Sequence, residues 1–488
     1  MFTRIRPESK REAAASGKTD VVAPMGMDTD RVLFVVYDFP PEGARGTKRS
    51  LKFIRHLPPH GWSAVVLTVR SSPNLSFHDD SLFAELPPGL PIYRARTLES
   101  LFHGSSKGND VRGDCAGEAK PGPLSSALRR AVVWFYRGLG KFTKLPDSRI
   151  LWLPFAVISG LRAIRQNRCR VIYTSGPSHT NHVVGAILSR VTRLPLVIDF
   201  RDAWVGNPAR RMPKAWIAKG NAFLERFCVR SAKVVVCTTD GIRADFEKRY
   251  PELPGKYVTI FNGFDQSDFL ADTSMGSRPR RPVLTIVHAG TLGRERSPRE
   301  FLLALGQLLR ENPELAGQVE VIFVGQNSPC TDGRTIEEYV QEYSCSSVVK
   351  LTGFVSRKAS LEYIVRADVL LLIIGRVPKE GAFVYGISGK LYDYAAARRP
   401  VLTVSERGST AQLVESLNLG PVVDPDDTET IKSTLVSLWE AHRSGSIPYN
   451  PNLELLKSFE FSRLTARLAS CFDQTYKGEA RGSSESRG

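Results

Sequence analysis

Short apolar runs alternate along this chain with longer amphipathic stretches, and that rhythm constrains the fold more than any other feature. A buried strand of a parallel sheet reads as a continuous apolar run, and each crossover to its neighbour needs a helix-sized segment. Six runs fit one unit: Val32–Tyr37, Ala64–Val69, Val171–Thr174, Leu196–Asp199, Lys233–Cys237 and Val258–Phe261. Five more fit a second: Val283–His288, Val319–Val324, Val348–Thr352, Val369–Ile374 and Pro400–Val404. A polar, proline-bearing stretch at 271–281 separates the two series and reads as a hinge. The economical architecture is α/β, with two Rossmann-like domains facing one another across a cleft. The first is expected over residues 30–270 and the second over 282–478, the latter with a C-terminal helix. Residues 1–29 read as a disordered arm, 105–122 as a loose insertion and 479–488 as a disordered tail. No repeat with the ~20–50-residue period of a solenoid is visible.

Composition narrows the class further. With 42% apolar residues, wholesale disorder is excluded. No run approaches the ~18 apolar residues of a membrane-spanning helix, and the longest, Val369–Ile374, is strand-sized. The first residues lack the apolar core and cleavage site of a secretory signal. Seven cysteines form an odd set with no CxxC pair, against a disulfide framework or a zinc ribbon. These features lead us to expect a reduced, cytoplasmic protein.

The net charge of +17 suits an anionic partner. Between Arg129 and Arg170 ten basic residues face one acid, Asp147, and Trp134, Phe135, Tyr136, Trp152 and Phe155 are interleaved with them. Cations near an anionic leaflet contribute ~1 kcal/mol each, and aromatics favour the interface, so peripheral contact with the inner face of a membrane is one reading. A helical hairpin with core aromatics and a solvated basic face is the other. No RNP, helix-turn-helix or zinc pattern accompanies the charge, so a nucleic-acid partner is not expected.

Four constellations sit where strands end. In the first, residues 39–49 (FPPEGARGTKR), two glycines open the backbone to an anion at a helix start. The second is 174–182 (TSGPSHTNH), where Ser178 or Thr180 is a candidate helix cap and His179 and His182 lie near the mouth. The third, 199–204 (DFRDAW), carries two carboxylates around an arginine. The fourth lies in the second series. There 290–298 (GTLGRERSP) offers amides and guanidiniums to a diphosphate. Downstream, 386–394 (GISGKLYDY) places Lys390 in a first helical turn capped by Ser388, with Asp393 suited to ribose hydroxyls.

These residues carry a family resemblance. The segments RVLFVVYDFPPEGARGTKRSLKFIRHLPPHGW, TSGPSHTNHVVGAILSR, LPLVIDFRDAW, FNGFD, HAGTLGRERSPREFLLAL, TGFVS and GKLYDYAAARRPVL resemble the family 4-like glycosyltransferases over about residues 31–475. The resemblance implies the GT-B fold, a nucleoside-diphosphate sugar donor and a sugar or polyprenyl-diphosphate-linked acceptor. It also implies retention of configuration, with neither a metal nor a cofactor. It places His182 and Asp202 at the cleft as catalytic-side residues. Gly46, Arg294, Arg296, Ser388, Gly389 and Lys390 would meet the donor diphosphate, and Asp393, Gly353 and Phe354 the ribose and base. Where many members carry two glutamates around the last loop, this chain has Tyr385 and Asp393, and the usual Arg–Lys pair is two arginines. The departures bear on sugar selection. Two other classes remain open: a nucleotide-sugar epimerase of the same fold, and a basic nucleic-acid-binding protein.

Overall fold

The computed structural model describes residues 29–42, 46–70, 79–98, 145–207, 214–269, 282–294, 296–375 and 386–485. The arm up to residue 28, the 105–122 insertion, the basic segment up to Lys144, the 271–281 hinge, Tyr385 and residues 486–488 lie outside the described residues.

All eleven apolar runs are strands, and all pair in parallel. The first unit contains β1 (Asp30–Val35), β2 (Trp62–Val69), β3 (Ile92–Ala95), β4 (Val171–Gly176), β5 (Leu196–Phe200), β6 (Val234–Cys237) and β7 (Tyr257–Thr259), in the order β3-β2-β1-β4-β5-β6-β7. The second contains β8 (Leu284–Ala289), β9 (Val319–Val324), β10 (Val349–Leu351), β11 (Val369–Ile373), β12 (Val401–Val404) and β13 (Val422–Val423), in the order β10-β9-β8-β11-β12-β13. The two strands that apolar runs do not reveal, β3 and β13, are both at sheet edges. An edge strand covered on one side needs no continuous apolar run, and β3 is half-buried over most of its length.

Register aligns the strand ends. Val35 lies opposite Leu67 and Thr174, and Ser175 lies opposite Asp199, so the loops after β1, β4 and β5 emerge together. In the second unit Ala289 lies opposite Val324, which brings the glycine loops after β8 and β9 to one edge.

The final helix, Phe461–Glu485, departs from the expected domain boundary in two respects. Its apolar face, Phe461, Leu464, Leu468 and Phe472, packs with Phe53, Trp62 and Tyr173 in the core of the first unit, not the second. It also continues beyond residue 478, where an unstructured tail is expected, because a docked helix propagates at little cost per residue. The chain therefore crosses between the units twice. The crossings lie side by side: Phe264 N–H donates to Phe459 O at 3.1 Å and Phe461 N–H to Phe264 O at 2.9 Å. Gly263 is required here, since a Cβ would sit 2.1 Å from the Phe459 carbonyl oxygen.

One ion pair locks the loops of the first unit. Arg49, on the helix Thr47–His56, and Asp199, at the end of β5, are both buried. The guanidinium donates to Asp199 Oδ2 and Oδ1 at 2.8 and 3.1 Å, to the carbonyls of Ile260 and Phe261 at 2.8 and 2.6 Å, and to Asn262 Oδ1 at 3.2 Å. All five donors of the arginine are thus used. Tyr173 and Ser175 hydroxyls donate to the same carboxylate. Breaking a buried pair from one side leaves an uncompensated charge, so Asp199→Ala should destabilise the protein by about 3–5 kcal/mol. Chemical denaturation reads this directly; a loss below about 1 kcal/mol would show that water reaches Arg49 and that the lock is weak.

Candidate active site

Three glycine-bearing loops of the second unit meet at one corner. Gly290 has φ +118° and Gly325 has φ +131°, both left-handed-side conformations that disfavour a side chain, and Gly325 packs directly on the Gly290 backbone. The Gly325 N–H donates to Gly353 O at 3.1 Å. Across this corner runs Lys390, from the first turn of the helix Gly389–Ala396. A Cβ on Gly290 would lie 2.4 Å from Lys390 Cε, so the absence of a side chain there admits the lysine. The Lys390 ammonium donates to His288 Nε2 at 2.7 Å and to Thr291 O at 3.2 Å. His288 Nδ1 in turn donates to Leu371 O at 2.9 Å. Burial, reinforced by the charge of Lys390, pushes the His288 pKa well below its ordinary value. The imidazole is neutral, and its Nε2 is free to accept from the lysine.

The two arginines of the Gly290 loop are not equivalent. Arg294 has φ 51° and is exposed, its backbone tied to Pro329 O at 2.8 Å. Arg296 is half-buried, and its charge lies near enough to contribute to the depression of His288. Ser388 occupies the N-cap position, but its hydroxyl makes no cap bond; its N–H donates to Thr410 Oγ1 at 3.1 Å. Phe354, following Gly353, is 72% exposed.

Asp393 has partners that were not legible in the sequence. Arg357 grips it with two donors at 2.9 and 3.0 Å, and Lys48 of the first unit reaches it at 2.7 Å. Burial alone would raise the Asp393 pKa. The Lys48 ammonium and Arg357 guanidinium overcome this and hold the carboxyl well below the usual aspartate range.

On the facing wall, Asp202 is exposed. It lines a small cleft with Arg201, Thr239 and Asn262 from the first unit and Gly386, Ile387 and Tyr392 from the second. Gly46 lies against the Arg201 guanidinium, where a Cβ would meet Nη2 at 2.6 Å. Arg201 Nε donates to Gly176 O at 2.7 Å. His182, by contrast, does not reach the cleft surface. It is fully buried behind Gly176, its Nδ1 2.8 Å from Thr174 Oγ1, and burial lowers its pKa to about 3. His179 stacks on Trp204, with ring centroids 4.6 Å apart. The cap of the helix Thr180–Thr192 is neither Ser178 nor Thr180 but the carboxylate of Asp147, which accepts from Thr180 N–H at 3.1 Å and from the Thr180 hydroxyl at 2.8 Å.

Residues 46–263 match the family described as glycosyl transferase 4-like domain, and residues 283–441 match glycosyl transferases group 1. The chain belongs to these glycosyltransferases. They use nucleotide-sugar donors and generally retain configuration. A comparison with curated proteins finds no match. Among solved structures, sucrose-phosphate synthase from Thermosynechococcus elongatus is similar with a TM-score of 0.57 and 15% identity, covering 92% of this chain and 100% of that one. A glycosyltransferase from Rickettsia africae gives 0.55 at 11% identity, with 92% and 99% covered. The Anabaena protein HepE, solved with UDP, gives 0.50 at 14% identity, with 94% and 100% covered. The likeness establishes the GT-B fold of this glycosyltransferase.

Lys48, Arg201, His288 and Arg357 all contribute to the site. Their isolated sequence positions signal none of this. Two were in view, Lys48 beside the first glycine loop and Arg201 inside DFRDAW, but only the fold shows what they touch. Because Asp393 is ion-paired, Asp393→Asn should lower stability at neutral pH. The loss should be about 1–2 kcal/mol, kept modest by partial exposure of both cations. A depressed folded-state pKa contributes stability that is complete above the unfolded value of ~3.9 and is lost as pH falls below it. The melting temperature of Asp393→Asn should therefore fall less steeply than wild type as pH drops from about 5 to about 2. Parallel acid profiles would show that the pair carries no stability.

Proposed function

We propose that this glycosyltransferase transfers a sugar from a nucleoside-diphosphate sugar to a sugar or polyprenyl-diphosphate-linked acceptor, retaining configuration and needing no metal. The observation that carries the reading is the Lys390–His288 pair beneath Gly290, with the charge of Arg296 nearby. Neutral His288 accepts from Lys390 without quenching its charge, so the ammonium and the nearby guanidinium suit a diphosphate. The amides of Gly389 and the helix dipole behind them add to the same field.

In this reading the bond from the anomeric carbon to the diphosphate breaks as the acceptor oxygen bonds to that carbon. Charge grows on the leaving oxygen, and Lys390 and Arg296 stabilise it where it develops. The acceptor proton passes to the departing phosphate, so no dedicated base is needed. Asp202 faces the acceptor from the opposite wall, and Gly46, lacking a side chain, lets the Arg201 guanidinium pack against the first glycine loop. His182 acts from behind Gly176, holding the turn rather than touching sugar. Asp393 serves the ribose once Lys48 releases it, with Gly353 and the exposed Phe354 beside the base.

Charge-assisted contacts to phosphate are worth about 1.5–3 kcal/mol, or one to two orders of magnitude in affinity. Calorimetry with a panel of nucleoside diphosphates, UDP included, should show that loss for Arg296→Ala and for Lys390→Ala. Arg294→Ala, at the exposed arginine, should bind nearly as wild type. Undiminished affinity in both of the first two variants would displace the diphosphate from this corner.

A further inference from the structure

Three neighbouring helices cover one face of the first sheet: Leu153–Asn167, Thr180–Thr192 and Ala215–Ser231. Their sequences contain a single acid, Glu225, and it is buried. It accepts from Tyr250 Oη at 2.6 Å and Val205 N–H at 2.9 Å and pairs with Arg249, so it contributes nothing to the outer surface. The exposed stripe of the third helix reads Trp216, Lys219, Phe223, Arg226, Arg230, at the three- and four-residue steps of one helical face. On the first helix the exposed stripe is Pro154, Ile158, Arg162, Arg165.

Seven large apolar side chains are exposed among the described residues, and four of them, Ile158, Val191, Trp216 and Phe223, belong to these three helices. Phe223 is 70% and Ile158 68% exposed, well beyond what scattered surface apolars require. The order along the stripes also matters. Both stripes begin at the cleft end with apolar residues and finish in guanidiniums. From Trp216 to Arg230 the helix rises about 21 Å. At the cleft end the third helix is tied to the loop that carries Asp202: Trp204 Nε1 donates to Asn221 Oδ1 at 2.7 Å, and Val205 N–H to Glu225. Arg226 has an acid partner, Glu252, at 2.6 Å on the rim, and Arg230 lies near the same carboxylate; Lys219 and Arg230 are exposed.

We infer that this outer face docks on an anionic lipid leaflet, with Trp216, Phe223 and Ile158 at the interface and the basic residues against lipid phosphates. Aromatic and aliphatic side chains interleaved with cations, with no acid on the helices' own exposed stripes and Glu252 only at the rim, fit a lipid surface. A folded protein partner would ordinarily meet a mixed-charge rim, and a nucleic acid would make no use of exposed isoleucine and phenylalanine. The inference deepens the reading of a lipid-linked acceptor and rests on it for its purpose, since docking here would bring such an acceptor to the Asp202 side of the cleft.

Sedimentation of the full chain with vesicles tests it. Vesicles of equimolar phosphatidylglycerol and phosphatidylcholine should carry the protein down, and phosphatidylcholine alone should not. Lys219→Ser with Arg230→Ser should weaken binding roughly thirtyfold at low salt, for two leaflet-facing cations. Trp216→Ser with Phe223→Ser should weaken it at every salt concentration. Unaltered melting temperatures in both double variants would confirm that they fold. Wild-type binding by both would overturn the inference. So would loss of binding confined to a variant with Arg129, Arg130, Lys141 and Lys144 replaced by serine, self-association that accounts for the patch, or retention on duplex DNA without vesicle binding. The acceptor reading is tested separately with a detergent-solubilised polyprenyl diphosphate. Failure there alongside intact, patch-dependent vesicle binding would remove that acceptor and leave the docking surface in place.

Discussion

The buried contact between Arg49 and Asp199 is the constraint on which the rest of the first unit depends. Two charges removed from water are costly, and the cost is recovered only when every donor and lone pair finds a partner. Here the guanidinium satisfies its five donors on a carboxylate, two carbonyls and a side-chain amide from two separate segments. The helix that follows β1, the end of β5 and the 260–262 segment beyond β7 therefore cannot move independently. That same helix places Lys48 towards Asp393 and Lys52 among Glu85, Asp265 and Asp268. One buried pair thus sets the direction from which the first unit presents charge to the second.

The cleft follows from this geometry and from the paired crossings at Phe264 and Phe459. Neighbouring crossings give the two units a narrow connection, so their relative position depends on contacts such as Lys48–Asp393 across the gap. The site is built from opposites. On the second unit a neutral imidazole supports an ammonium, leaving net positive charge at the glycine corner. On the same unit Asp393 is fully compensated by two cations. In the proposed reading an incoming anion is drawn to Lys390 and Arg296, while the Asp393 carboxylate is balanced by its own two cations.

The fold was largely legible in the sequence because buried parallel strands leave continuous apolar runs, and eleven of these were strands. β3 and β13 escaped because edge strands are covered on fewer sides. The glycine loops were legible for a similar reason: backbone conformations and close approaches at Gly290 leave a compositional mark. The side chains that meet there are separated by long stretches of chain. Lys390 lies 102 residues from His288, and Lys48 lies 345 residues from Asp393. No local pattern encodes such a meeting. His182 misled for the opposite reason. Its position at a strand–helix turn suggested the cleft, yet its ring turns inward behind Gly176, where burial keeps it neutral. The Asp147 cap was equally hidden, since a carboxylate far upstream in the chain does the work usually given to a neighbouring serine or threonine.

The helix Ala215–Ser231 shows how one segment can serve the core, the cleft and the surface together. Its inward residues, Asn221 and Glu225, hold the DFRDAW loop through Trp204 and Val205, which fixes the wall from which Asp202 projects. Consuming its only acid in that internal task leaves its outward residues entirely basic or apolar. A glutamate at the outer positions would weaken attraction to an anionic surface; an alanine at 225 would leave Arg249 without its buried partner and the Val205 amide without its acceptor. The buried carboxylate thus supports the cleft wall and keeps negative charge off the outer face, so the surface chemistry of this helix follows from its role in shaping the site.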